Sequence, residues 1–278
     1  METTFRLYRT LFSSHQFTRS LAQGVAFLAA SLIAIFAAVS FATTNASNHV
    51  ADLVLSNLGP YNVRFAFVYG TFIEFAILAA LLAWRPNRLP FALKAMALFL
   101  LVRAVFVSLT HIAPSPIDPV KPAPFLNAIF FGSDQFFSGH TGLPFLAALT
   151  FWHMPFWRYF YLASTLFFGA IVLLGHYHYS IDVLAALFIT HGIFQIASWS
   201  FKADLALFRS SEAMPRVPKK AIRKKIANWA EGAKAVRKKK PALEPEVMPE
   251  TAAQPFRLHV VEDSTTAPTG GRGSITGS

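Results

Sequence analysis

The sequence predicts an all-α protein, a six-span transmembrane helical bundle with a basic, partly disordered cytoplasmic C-terminal tail. Three observations predict it. Apolar runs of near-spanning length recur as far as residue 201, and a hydrocarbon layer about 30 Å thick takes roughly 20 helical residues to cross. Hydrophobic residues make up 54% of the chain and charged residues only 14%, too little polar surface to cover a soluble domain. The 25 Lys and Arg residues fall mainly outside the apolar runs, which is how membrane topology is written into a sequence.

The six predicted spans lie at 21–43, 63–84, 89–112, 140–157, 159–177 and 182–201. The first is too long for the apolar core of a cleaved signal and lacks a small-residue cleavage context, so it is expected to remain as an anchor. The fourth contains Pro144 and Pro155, which a membrane helix tolerates where its neighbours satisfy the freed carbonyls. Residues 1–20 are expected to form an N-terminal segment and 21–201 a six-helix membrane domain.

Basic residues set the expected orientation. Arg6, Arg9 and Arg19 precede the first span, Arg85, Arg88 and Lys94 flank the second turn, and Arg158 follows the fourth span. The alternate loops hold only Arg64 and Lys121. Both termini are therefore expected in the cytoplasm. The loops around 44–62, 113–139 and 178–181 then face the periplasm or exterior, and the Ala- and Phe-rich composition suits a bacterial inner membrane.

After the last span the composition changes. Thirteen Lys or Arg residues fall between Lys202 and Lys240. Within this polybasic segment, residues 202–240, Ile222, Ile226, Trp229, Ala233 and Val236 recur at three- and four-residue steps. The segment is thus either an amphipathic helix on anionic lipid or a solvated, topology-enforcing tail. Residues 241–278 are rich in Pro, Glu, Thr and Gly without periodicity, and disorder is expected there. The formal charge of +11 is concentrated beside the spans, so nucleic acid is not the expected partner. With no Cys in the chain, disulfides, thiolate metal sites and Cys nucleophiles are excluded.

Two polar clusters interrupt this apolar background. In the first, Ser138-Gly139-His140-Thr141 stands where an outer loop enters the fourth span. Small residues at a helix start leave backbone N–H groups open to a phosphate oxygen, with His140 beside it. The second is His176-Tyr177-His178-Tyr179-Ser180-Ile181-Asp182. The four-residue step from His178 to Asp182 lets the carboxylate accept the imidazole N–H and orient the ring, making the His a better nucleophile toward phosphorus. The topology puts both clusters at one membrane face. Arg103, inside the third span, needs a partner in hydrocarbon: either a substrate phosphate held bidentately or Glu74 in the second span.

These residues resemble the sphingomyelin-synthase-like branch of the type 2 phosphatidic acid phosphatase superfamily. Ser133-Asp134 through Ser138-Gly139-His140-Thr141 is similar to the branch's Gly-Asp-x-x-x-Ser-Gly-His-Thr block, and His178-Tyr179-Ser180-Ile181-Asp182-Val183 to its His-Tyr-Thr-x-Asp-Val block. Arg103 through Thr110 and Pro114 resembles the Arg/Thr/Pro block that ends the third span, and Asp52 through Pro60 the block before the second. There are departures. Ser133 stands where Gly is usual and His176 where many sphingolipid-making members are acidic, so the head group does not transfer. The chain also lacks the ordinary phosphatase branch's Lys-x6-Arg-Pro block, has Phe137 in place of the Pro before Ser-Gly-His, and has no Ser-Arg pair before His178.

The resemblance implies a lipid phosphotransferase that moves a phosphate-linked head group from a phospholipid donor to a lipid alcohol such as ceramide or diacylglycerol. His178 would be the nucleophile, Asp182 its orienting carboxylate and His140 the acid and base. Arg103, Ser138, Gly139, Asp134 and His176 would contact the substrate, and no cofactor or metal is implied. Two alternatives stay open: a lipid phosphate phosphatase with water as the acceptor, and a non-enzymatic transporter in which the His residues and Arg103 line a polar path.

Overall fold

The structure, a computed structural model, describes residues 2–115, 135–210, 227–229 and 231. Among them the chain forms nine α-helices: α1 (Glu2–Phe12), α2 (His15–Thr44), α3 (Leu53–Asn57), α4 (Arg64–Trp84), α5 (Leu89–Thr110), α6 (Gly139–Thr150), α7 (Pro155–Leu174), α8 (Ser180–Ser200) and α9 (Lys202–Ser210). Five are long and apolar enough to cross a membrane: α2, α4, α5 with the short turn before it, α7 and α8. Their outward faces belong in lipid. Ile33, Phe36, Leu166 and Phe188 are 71%, 73%, 74% and 78% exposed, which a water-facing helix could not sustain in a row of neighbours. The protein is a multi-pass integral membrane protein.

Small residues set the packing of the longest helix. Ser20, Gly24, Ser31, Ala38 and Ala42 form the buried stripe of α2, which lies along α5. Close approach of this kind drives helix association in a solvent as apolar as the side chains. α6 packs on α7 and α8, and α5 also touches α8 and α6. The main core fills this space with Phe91, Phe99, Phe137, Phe151, Tyr161 and Phe208.

The expected fourth span differs from the helix that forms. α6 ends at Thr150 after 12 residues, about 18 Å of rise, and a turn at 151–154 separates it from α7. Pro155 does not interrupt the fourth helix; it opens the next at the first-turn position where its missing N–H costs nothing. Trp157 and Arg158 thus belong to α7. The short α6 starts deep: Gly139 lies against Arg103, seven residues below the end of α5, so its first turn is recessed by about 10 Å.

Gly142 fixes how closely α6 can seat. A Cβ there would lie 2.7 Å from the buried Phe99 ring and 2.9 Å from the Thr190 hydroxyl oxygen. Gly142→Val should therefore lower stability by about 1–3 kcal/mol through overpacking. Thermal unfolding in detergent, followed by tryptophan fluorescence, measures the loss.

At the end of the bundle away from Ser138 and His178, α1, α9 and the 86–88 turn come together. Asn87 donates to the Leu207 carbonyl at 2.9 Å and the Tyr8 hydroxyl to the Ala83 carbonyl at 2.7 Å. Arg88 and Lys94, counted above as orientation-setting charges, are both buried here. The Arg88 guanidinium sits 5.4 Å from the Phe151 ring and 5.6 Å from that of Phe208. The Lys94 ammonium meets Asp204 at 2.7 Å and donates to the Ser20 hydroxyl at 2.7 Å, and that hydroxyl donates to Asp204 at 2.6 Å. In the polybasic segment, Trp229 donates its indole N–H to the Ala203 carbonyl and packs with Leu11, Phe17 and Leu207. Most of that segment, and all of residues 241–278, lie outside the described residues.

Candidate active site

Two clusters far apart in sequence are joined through the backbone. Ser138 N–H donates to the Asp182 carbonyl at 3.0 Å, and the Ser138 hydroxyl accepts from Thr141 N–H at 3.3 Å as the N-cap of α6. The first turn of α6 and the first turn of α8 are therefore neighbours. Both Ser138 and Asp182 are fully buried.

The spacing of His178 and Asp182 works as the sequence suggests. His178 Nδ1 lies 3.3 Å from Asp182 Oδ2, with 4% and 0% of the two side chains exposed. Oδ2 also accepts from Tyr179 N–H at 3.1 Å, whereas Oδ1 is buried without a hydrogen-bond partner. With Nδ1 turned toward the carboxylate, Nε2 is the ring nitrogen left for chemistry. His140 reaches the same region from α6. Its ring packs 4.4 Å from Phe67, and Phe67 packs 4.7 Å from Tyr177. Phe67 thus bridges the two His clusters.

Arg103 approaches from α5. Its Nε donates to the Phe137 carbonyl at 3.2 Å, and a Cβ on Gly139 would fall 3.2 Å from the same nitrogen. The guanidinium thus lies against the first turn of α6, where helical N–H groups converge. Phe136 and Phe137, just before it, have positive φ values of 88° and 34°. Proline, locked near −65°, cannot adopt that backbone, so Phe137 in place of Pro reflects a different entry into α6.

Arg103, Gly139 and His140 form one end of a cavity of about 260 Å³ that runs inward between α4, α5, α6 and α7. Glu74 lines the same cavity, but no Glu74–Arg103 salt bridge forms among the described residues. His178 and Asp182 are not among its walls. His176 also lies away from it: its ring is buried, and Nε2–H donates to the Leu58 carbonyl at 2.8 Å, bracing the 45–63 loop over the site. Asp134 lies outside the described residues; its neighbour Gln135 donates to the Tyr177 carbonyl at 3.2 Å.

Asp52, noticed in the sequence only as part of a faint block, ties this loop to α8. Its Oδ1 accepts from Val54 and Leu55 N–H at 2.8 and 3.0 Å, and its Oδ2 from the Ser180 N–H and hydroxyl at 2.7 and 2.9 Å. One carboxylate therefore caps α3 and also takes up the first N–H of α8, that of Ser180. Burial raises the Asp52 pKa, but hydrogen bonds from Leu55, Ser180 and Val54 together outweigh it and hold the group below the ordinary aspartate range.

Asp52→Ala should cost about 1–2 kcal/mol at neutral pH and slow turnover about tenfold, because the first turn of α8 carries Asp182. Ser180→Ala, which keeps the backbone donor, should cost less. A carboxyl whose pKa is lowered by folding stabilises fully above its unfolded value and loses that contribution as pH falls through the folded one. The stability gap between wild type and Asp52→Ala should therefore hold at neutral pH and close in acid. Melting temperatures measured across pH check this.

No curated protein and no solved structure matches the chain. A family model described as PAP2 superfamily C-terminal matches residues 132–199, the stretch that holds Ser138, His140, His178 and Asp182. The chain thus contains a PAP2-superfamily C-terminal domain, and its buried His178–Asp182 pair suits the phosphatase or phosphotransferase chemistry of that superfamily.

Proposed function

We propose that this protein is a lipid phosphotransferase of the sphingomyelin-synthase type, moving a phosphate-linked head group from a phospholipid to a lipid alcohol. The observation that carries the reading is the Ser138–Asp182 backbone bond, which puts the His140 turn beside the His178–Asp182 pair. An apolar cavity under Arg103 and His140 supports a lipid substrate rather than a soluble one.

In this reading His178 Nε2 attacks phosphorus and the bond to the donor's lipid oxygen breaks. His140 delivers a proton to that departing oxygen, leaving a phosphohistidine and a neutral alcohol. Asp182 stabilises the imidazolium through Nδ1–H. Arg103, with N–H groups around Ser138 and Gly139, holds the non-bridging oxygens where their charge grows. His140, now a base, takes the proton of the acceptor hydroxyl, whose oxygen attacks phosphorus, and the P–N bond breaks to restore His178.

Burial of His178 favours a lipid alcohol over water as acceptor, because water must be kept from the intermediate for transfer to prevail. The phosphatase reading is the alternative and uses the same residues. Asp134 is retained in this reading as a substrate contact, and His176 as one that acts through the loop it braces.

The proposed organisation keeps 1–20 as the N-terminal segment, 21–201 as the catalytic domain, 202–240 as the basic segment and 241–278 as the tail, with both termini in the cytoplasm and the site facing outward. α6 serves as the sixth span, its short length made up by its recessed start. The basic residues gathered at the α1 and α9 end support that orientation.

The test uses purified protein with a phospholipid labelled in its head group, supplied with ceramide, diacylglycerol or water alone. A labelled lipid product is the expected result. Free labelled head group or phosphate, unchanged by either alcohol, would establish the phosphatase, and an unaltered donor in every arm would end the enzymatic reading.

A further inference from the structure

Below Arg103 and His140 the cavity is walled by Phe75, Leu78, Phe99 and Leu143, and four polar side chains interrupt this lining. Two are satisfied by their own helices: the Thr71 hydroxyl donates to the Phe67 carbonyl and that of Thr150 to the Leu146 carbonyl, both at 2.7 Å. The other two are Glu74 and Tyr161. Glu74 makes no hydrogen bond or ion pair among the described residues, and the fully buried Tyr161 hydroxyl has no hydrogen-bond partner. Tyr161 is fully buried and Glu74 half-buried, and a phenol and a carboxyl left without partners within a membrane bundle call for a ligand.

Their depth identifies which part of a ligand they would meet. Phe67 on α4 and Phe168 on α7 both pack on His140. Glu74 and Tyr161 lie seven residues inward from these two rings along their helices, about 10 Å deeper. Phe67 and Glu74 both tilt toward the start of α4, so that separation holds between ring and carboxyl, and a hydrogen bond of about 3 Å at the Glu74 end leaves roughly 7 Å for the ligand to span. That is the distance, within one lipid molecule, from a head-group phosphate to the carbonyl of its first acyl linkage.

We propose that Glu74 and Tyr161 form a second polar subsite that hydrogen-bonds the acyl-linkage carbonyl, ester or amide, of the lipid whose phosphate sits at Arg103. In the neutral form that hydrocarbon tolerates, the Glu74 carboxyl donates its O–H to this oxygen, and the Tyr161 phenol donates a second. The subsite would recognise an acylated lipid backbone independently of the head group. A dialkyl ether lipid, which has the same shape and no carbonyl, would leave both donors unpaired.

This inference rests on the proposed lipid specificity, and a binding readout separates its failure from failure of the catalytic reading. Purified full-length His178→Ala protein in detergent would be titrated with a diacyl phospholipid, its dialkyl ether analogue and an amide-linked phosphosphingolipid, displacing a fluorescent phospholipid. The diacyl and amide lipids should bind about tenfold more tightly than the ether. Adding Glu74→Leu should bring the ether and ester lipids to equal affinity, Tyr161→Phe should narrow the gap, and Glu74→Gln, which still donates through its amide, should preserve most of it. Equal binding of ester and ether by the Glu74-containing protein, or an unchanged preference in Glu74→Leu, would overturn the subsite. Absence of turnover in the His178-containing protein, with the linkage preference intact, would instead overturn the catalytic reading alone.

Discussion

His178→Gln should leave a folded protein whose turnover on its phospholipid donor falls by about 10⁴-fold or more. The side chain removed is the one from which the phosphorus–nitrogen bond would form, and the glutamine amide is no replacement nucleophile although it can still bond Asp182. Asp182→Asn should act differently. The amide can keep a bond to the ring but presents no negative charge to the imidazolium, and the loss should be on the order of 10²–10⁴-fold. Single-turnover measurements separate the cases. Wild type quenched during the reaction should carry an acid-labile, alkali-stable label from the donor, His178→Gln none, and Asp182→Asn the same label formed slowly. Both variants should elute from size exclusion as the wild type does. Undiminished turnover in His178→Gln would remove the nucleophile from the proposal.

The second large effect is on stability, at the opposite end of the bundle. Lys94, Asp204 and Ser20 bring α5, α9 and α2 together through three contacts of 2.6–2.7 Å, with Lys94 and Asp204 only 7% and 5% exposed. Lys94→Met or Asp204→Leu alone should cost about 3–5 kcal/mol, because either change strands a buried opposite charge. The double variant should recover much of that loss, since replacing both ions by apolar groups removes the desolvation penalty as well as the attraction. Thermal inactivation rates in detergent, compared across the four proteins of the cycle, are the appropriate measurement. Equal losses in the double and single variants would show that the pair is valued for its attraction rather than for avoiding an isolated charge.

The spans were legible because hydropathy reports the solvent directly. α4 and α5 begin and end within a few residues of their expected limits, since in a membrane almost nothing but a helix satisfies the backbone. The break at 151–154 was not legible. Hydropathy runs on through Phe151 and Trp152, and only the choice to read Pro155 as the start of a helix rather than as an interruption would have revealed it.

The His178–Asp182 contact was legible because it is local, four residues apart on one turn. Asp52 and Glu74 were not, because their meaning lies in long-range neighbours: Asp52 caps a helix 128 residues away, and Glu74 acquires its interest from a cavity assembled by four helices. His176, to which the resemblance gives a substrate contact, has a left-handed backbone, φ 55°, and its ring bonds the Leu58 carbonyl, a long-range neighbour that the local sequence does not reveal. Lys94 and Arg88 were similarly read for charge alone, when burial gives both a structural task.

The recessed start of α6 bears on how the bilayer itself enters the reaction. Phosphates of a resting leaflet lie at its rim, whereas Arg103 waits about 10 Å inside the end of α5. For the two to meet, a lipid must sink or the leaflet must dip beside the protein, and either deformation grows easier as acyl chains shorten. Membrane thickness thereby becomes a determinant of rate in its own right, acting through the elasticity of the surrounding lipid rather than through any contact it makes with a side chain.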